Sequence, residues 1–254
     1  MFNVFIIGPA GSGKTALTNS LSMWLDQYEV DNIKVNLDPA VKSLPYDPEV
    51  DVRDYINIDK LMMEYGLGPN GAIIAATDLM TTFIEKIVEE IRDFKPGYVI
   101  IDTPGQMELF TFRAIGEYII RSLSEERNAI IFVIDSILAL KPSTLISLIF
   151  LSISTLFRFN LAQLNVLNKC DMLNEKQIKM IEEWVKSPEK LFLEIERREK
   201  GMKSRIMESL LNSINEYLSV VSIIPISAKT GQGLDNLYTL LQRIYVGGED
   251  YVTL

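Results

Sequence analysis

An apolar run, Phe2-Asn3-Val4-Phe5-Ile6-Ile7, leads directly into Gly8-Pro9-Ala10-Gly11-Ser12-Gly13-Lys14-Thr15 and then into residues of helical spacing. The octapeptide fits G-x-x-x-x-G-K-[ST], and a strand before it and a helix after it are the context that gives this spacing its meaning. The glycines let the backbone fold tightly around an anion. The N–H groups of Gly11, Ser12, Gly13, Lys14 and Thr15, with Ala16 in the same first helical turn, then converge on phosphate oxygens. Lys14 is placed to neutralise the β- and γ-phosphates, and the Thr15 hydroxyl to coordinate Mg2+. Such a loop has to hang from the C-terminal end of a strand that is covered on both faces, which restricts the folds open to the chain.

The rest of the sequence keeps to that restriction. Short runs rich in β-branched residues at 2–7, 33–37, 97–102, 129–135, 161–168 and 222–227 are apolar on both faces, as strands between two helical layers must be. Longer stretches of helical period separate them. In 79–94, Phe83, Ile84, Ile87, Val88, Ile91 and Phe94 recur at helical spacing, and Lys95-Pro96-Gly97 stops the helix. The pattern predicts an α/β fold: a doubly wound, mainly parallel sheet with ligands at the C-terminal strand ends. The 254 residues are read as a single domain over 1–254, with an insertion at about 38–75 and a charged helical insertion at about 174–218, interrupted at Ser187-Pro188 and near Gly201.

Composition removes several chemistries. The chain has no histidine, so Ser-His and Cys-His mechanisms are excluded, and carboxylates, amides and a hydrated cation are left. One cysteine excludes an internal disulfide framework and a multi-cysteine zinc site, and fits a reducing cytoplasm. The net charge of −9 argues against a nonspecific grip on nucleic acid or anionic lipid. The N-terminal run has no basic region before it and reads as a buried strand, not a signal peptide. The uncharged stretch 142–157 has 16 residues, short of the ~20 of a membrane span, and reads as a buried or partner-covered helix.

Further strand ends carry more of the chemistry. Asp102-Thr103-Pro104-Gly105-Gln106 closes the run 97–102 and puts Asp102 in position for the Mg2+ shell, while Gly105 can offer its N–H to a γ-phosphate. Asn168-Lys169-Cys170-Asp171 ends another apolar run. The Asp171 carboxylate, expected to be buried, can accept from N1–H and N2–H of guanine, a donor pair that adenine lacks. Lys169 can lie along the base plane, Asn168 can brace the phosphate loop, and Cys170 reads as a small filler. Ser227-Ala228-Lys229 follows the last strand and offers a backbone N–H to guanine O6. For the attacking water the candidates are Asp38, which could equally reach the metal, then Gln106, with Glu108 assisting and Arg53 as a weak source of positive charge. Tyr65-Gly66-Leu67-Gly68-Pro69-Asn70-Gly71-Ala72 is glycine-rich but has no lysine, so it is a poor triphosphate site alone. Pro69 stiffens it and the Asn70 amide can donate to phosphate or orient water.

In this order, GPAGSGKT, LDPA at 37–40, GPN at 68–70, DTPGQME at 102–108, NKCD and SAK, the chain resembles the GPN-loop GTPases from residue 3 to about 245. The resemblance implies a Mg2+-dependent GTP-hydrolysing homodimer in which the Gly-Pro-Asn loop reaches the partner's nucleotide. It also implies a nucleotide-controlled switch with a chaperone-like role in assembling complexes such as RNA polymerase, for which 143–157 could form a client groove in place of core. Two other readings use the same loop: a kinase acting on a small molecule or polynucleotide, and a scaffold that binds GTP without hydrolysing it. Against the kinase, Arg197-Arg198 is interspersed with glutamates and reads as a solvated helix face, not a lid.

Overall fold

The computed structural model describes residues 1–198, 209–210 and 222–247. Among the described residues, seven strands, β1 (Phe2–Ile7), β2 (Asn32–Asn36), β3 (Val50–Asp51), β4 (Tyr98–Asp102), β5 (Arg127–Asp135), β6 (Ala162–Asn168) and β7 (Ile223–Pro225), form one sheet in the order β3-β2-β4-β1-β5-β6-β7. Every pairing is parallel. The chain leaves β1 toward one edge and returns past it from β4 to β5. The loop after β1 therefore lies at the point where the crossovers part, between the ends of β4 and β5.

Helices cover both faces. Those bounded among the described residues are α1 (Lys14–Gln27), α2 (Ile58–Tyr65), α3 (Pro69–Leu79), α4 (Ile84–Asp93), α5 (Met107–Thr111), α6 (Ala114–Ser122), α7 (Ser136–Ala139), α8 (Pro142–Phe159), α9 (Glu175–Lys186), α10 (Pro188–Arg198) and α11 (Leu234–Gly247). All six residues of β1 are buried because its side chains alternate between two cores. Val4 and Ile6 pack with Leu17, Leu21 and Leu25 of α1 and with Leu237 and Leu241 of α11. Phe5 and Ile7 join the larger core, which takes Ile87 and Ile91 of α4, Ile119 of α6, Leu145 and Ile149 of α8, and Ile181 and Trp184 of α9. Each of the three α1 leucines is at most 1% exposed, so each contributes roughly 2 kcal/mol to seating the helix that begins at the phosphate loop.

Several boundaries differ from the sequence reading. The helix expected over 79–94 is two helices. Leu79 ends α3, a 3-10 turn spans Met80–Thr82, and α4 starts at Ile84. The hydroxyls of Thr81 and Thr82 donate to the carbonyls of Asp78 and Leu79, competing with the helical ladder, and Met80 is fully buried at the bend. Phe94, expected on the apolar face, is exposed. The two-residue edge strand β3 has no counterpart among the expected strands. The charged segment from Asn174 breaks at Ser187 as anticipated, and a reciprocal capping box between Asn174 and Gln177 starts α9. These helices are less superficial than expected, since Trp184, Val185, Leu191 and Ile195 are buried. The break near Gly201 lies outside the described residues. Helix α8 has 18 residues and a mean hydropathy of 1.5, enough by length and composition to cross a membrane, but 56% of it is buried inside the protein. Burial of Leu145, Ile146, Ile149 and Ile153 makes it chiefly a core helix, and Phe157 near its end is 81% exposed.

Candidate functional site

The loop after β1 folds as its glycines require. Gly11 and Gly13 have φ of +74° and +97°, in the left-handed region that side chains disfavour. A Cβ on Gly13 would also run into Nδ2 of Asn168, and one on Gly8 would stand 2.6 Å from the carbonyl of Val133. Helix α1 begins at Lys14 with Gly13 as its N-cap and no side-chain cap, so its first N–H groups remain available to an anion. Ser12 Oγ is buried in the same loop without a hydrogen-bond partner. Lys14 Nζ donates to the carbonyls of Gly8 (2.9 Å), Pro9 (3.3 Å) and Gly105 (3.0 Å). Burial lowers the pKa of this ammonium, and the charges of Asp102, Asp38 and Glu108 oppose that shift.

The end of β4 forms the second wall. Thr103 Oγ1 donates to the Ile6 carbonyl at 2.7 Å, tying β4 to the strand that carries the loop. Asp102 is 1% exposed, and burial pushes its carboxyl up to about 6, against the hydroxyls of Thr15 and Tyr46 and the charge of Lys14. Tyr46 donates to Oδ2 at 3.0 Å, while Oδ1 is buried without a hydrogen-bond partner. This orphaned oxygen, on a carboxylate that also interacts with the Thr15 hydroxyl, fits a Mg2+ shell. No cluster of three His, Cys, Asp or Glu occurs among the described residues, so most ligands of such an ion would be phosphate oxygens and water, as is usual for Mg2+.

Asp38 and Gly105, expected to act separately, are paired. Asp38 Oδ2 accepts the Gly105 N–H at 2.7 Å and Oδ1 accepts the Ala40 N–H at 2.9 Å. The N–H proposed for a γ-phosphate and the carboxylate proposed for the metal or water thus occupy one another in this conformation. Gln106 and Glu108 are exposed at the start of α5. Arg53 does not face the phosphate loop freely. Its guanidinium holds Asp51 at 2.6 to 3.0 Å and the Val41 carbonyl at 3.3 Å, so its charge is already compensated.

The ends of β5 and β6 form the third wall. Asn168 Nδ2 donates to the Ser12 carbonyl at 3.0 Å, and its Oδ1 accepts from Lys169 N (2.8 Å) and Ala228 N (2.9 Å). One amide therefore joins the phosphate loop, the NKCD turn and the SAK turn. It also engages the Ala228 N–H, one of the candidate donors to guanine O6. Lys169, at φ +67°, donates Nζ to the Gly11 carbonyl and to Asp135 Oδ2, both at 2.6 Å. Asp171 is exposed, not buried as expected, and accepts the Ser227 hydroxyl at 2.7 Å, which holds one carboxylate oxygen toward the SAK turn. Lys229 is exposed. Cys170 is 3% exposed and burial pushes its thiol up to about 11, so it is the inert filler that the sequence suggested. Asp135 was not anticipated. The available signal was its place as the acid that ends an apolar strand, as Asp102 does in β4.

Gly68-Pro69-Asn70 opens α3. Gly66, at φ +64°, caps α2, Gly68 is the N-cap of α3 and Pro69 occupies its first turn. All three residues of the triplet are exposed. Among the described residues no hydrogen bond joins them to the phosphate loop or to 102–108 of the same chain.

Fold and site together define a phosphate-loop nucleoside triphosphatase. A family model described as "Conserved hypothetical ATP binding protein" matches residues 6–246. The GPN-loop GTPase of Pyrococcus abyssi is 34% identical over 95% of this chain and 96% of its own length. GPN-loop GTPase 1 of Dictyostelium discoideum is 31% identical over 98% of this chain, which spans 62% of that longer protein. A crystal structure of the P. abyssi GTPase in apo form superposes with a TM-score of 0.85, at 30% identity, over 96% of this chain and 98% of that one. The chain belongs to the GPN-loop GTPase family.

Proposed function

We propose that this protein binds GTP with Mg2+ and hydrolyses it to GDP and phosphate, as a homodimer in which Gly68-Pro69-Asn70 of each copy serves the nucleotide of the other. The observation that carries this reading is the double link from the NKCD turn to the phosphate loop, Asn168 to Ser12 and Lys169 to Gly11. It supports a reading in which base recognition and phosphate binding belong to one site. The family description names ATP, but an aspartate at position 171 has a donor pair to accept from only in guanine.

Lys14, with the N–H groups at the start of α1, holds the phosphates. Thr15 and Asp102 would hold Mg2+, which would neutralise charge on the phosphate oxygens. A γ-phosphate competes with Asp38 for the Gly105 N–H, and this exchange frees the Asp38 carboxylate to orient or deprotonate water, with Gln106 and Glu108 at the exposed side. The same exchange provides the switch, because Asp38 begins the segment that leads to α2 and α3. A chaperone-like role in assembling protein complexes such as RNA polymerase would belong to exposed surfaces, since the apolar face of α8 is largely buried. A single, buried thiol fits a cytoplasmic setting.

The test is complementation. Lys14→Ala and Asn70→Ala, each inactive alone, are mixed and assayed for phosphate release against protein concentration. Recovery in the mixed dimer supports catalysis across the interface. Absence of recovery, with dimers confirmed by mass, reduces Gly-Pro-Asn to a helix-opening turn.

A further inference from the structure

Residues 37–49 connect β2 to β3 without helix or strand. From 40 to 49 every residue is partly or fully exposed except Tyr46, which is 9% exposed. The chain brings it inward between Pro45 and Pro48, whose fixed φ angles limit the paths open to the loop. Its hydroxyl ends on Asp102 Oδ2 at 3.0 Å. A carboxyl group rotates in a broad, roughly two-fold well, so an isolated Asp102 would sample several orientations. A buried hydroxyl donor selects one of them.

We propose that Tyr46 is a positioning residue for the metal-side carboxylate. By engaging Oδ2 it fixes the rotation of Asp102 and leaves Oδ1, which has no hydrogen-bond partner, as the oxygen free for the Mg2+ that Asp102 and Thr15 would share. The inference rests on the Mg2+–GTP reading above. It adds a residue that no motif contains, and it ties the loop that starts at Asp38 to the metal side of the site as well as to Gly105.

The experiment titrates Mg2+ into the full chain with a fluorescent, nonhydrolysable GTP analogue and reads the Mg2+ half-saturation. Tyr46→Phe removes the hydroxyl and keeps the ring. Loss of one hydrogen bond to a charged group raises the half-saturation about tenfold. Analogue affinity in EDTA stays within about twofold of the wild type, and in an Asp102→Asn background the substitution has no further effect. Unchanged half-saturation in folded Tyr46→Phe overturns the proposal, as does an equal weakening in the Asp102→Asn background. If Tyr46→Phe does not fold, the pair Pro45→Ala and Pro48→Ala keeps the hydroxyl and loosens its seat. It should give a smaller rise, and no rise would overturn the proposal. A wild type indifferent to Mg2+ refutes the metal reading itself and this inference with it, a result visible before any variant is made.

Discussion

Asp102→Asn should stabilise the nucleotide-free protein while weakening its response to Mg2+. The Asp102 carboxyl titrates at about 6 in the fold against an ordinary value of 3.8, chiefly because burial disfavours its charged form. The folded state therefore binds the proton more tightly than the unfolded chain. The stability this provides is complete below pH ~3.8 and is lost as pH rises through about 6. At pH 7.5 the ionised carboxylate costs roughly 3 kcal/mol, since each tenfold difference in proton affinity between the two states is worth ~1.4 kcal/mol. An asparagine of the same shape avoids that penalty but places an amide NH2 near the Lys14 ammonium, so a net gain of about 2 kcal/mol is expected. In a chain of this size that raises Tm by about 4–8 °C. Thermal unfolding of both proteins in EDTA from pH 4.5 to 8 is the assay. The difference should be full above pH ~6.5 and shrink steadily below it. A destabilised Asp102→Asn, or a gain independent of pH, would refute the electrostatic reasoning.

Other substitutions probe the rest of the site. Asn168→Ala removes the acceptor of two N–H groups and the donor to Ser12 in a nearly sealed position, and should cost about 3 kcal/mol in urea unfolding of the nucleotide-free protein as well as abolish GTP binding. A loss under about 1 kcal/mol would show that the three turns are held by other contacts. Cys170, with its thiol at about 11, should react with a maleimide at pH 8 far more slowly in the folded protein than in urea, and equal rates would contradict its burial.

The parts of the site legible in the sequence are those whose geometry is local. GPAGSGKT, DTPGQ and NKCD each combine an apolar strand with a chemically committed strand end, and the structure places all three at the carboxyl-terminal ends of strands in one parallel sheet. Where a role depends on a distant partner, the sequence is silent. Tyr46 acts on a residue 56 positions away and Asp135 on one 34 away, and neither pairing leaves a periodic trace. The Asp38–Gly105 pair is hidden for the same reason: 67 positions separate a carboxylate from the one N–H that satisfies it, and each residue has a plausible role alone. The strand β3 is invisible because two residues cannot display a period of two. The break in 79–94 escapes a reading of periodicity because the apolar spacing continues through it, and only the hydroxyls of Thr81 and Thr82 interrupt the ladder.

Equilibrium titration of the folded protein with GTP, ATP and xanthosine triphosphate in the presence of Mg2+ tests the whole account most directly. Two hydrogen bonds to the ionised Asp171 should make GTP bind at least about a hundredfold more tightly than ATP, and Asp171→Asn should transfer preference to the xanthosine nucleotide. ATP displacing GTP at equal concentration, with Asp171→Asn unable to change the order, would contradict it.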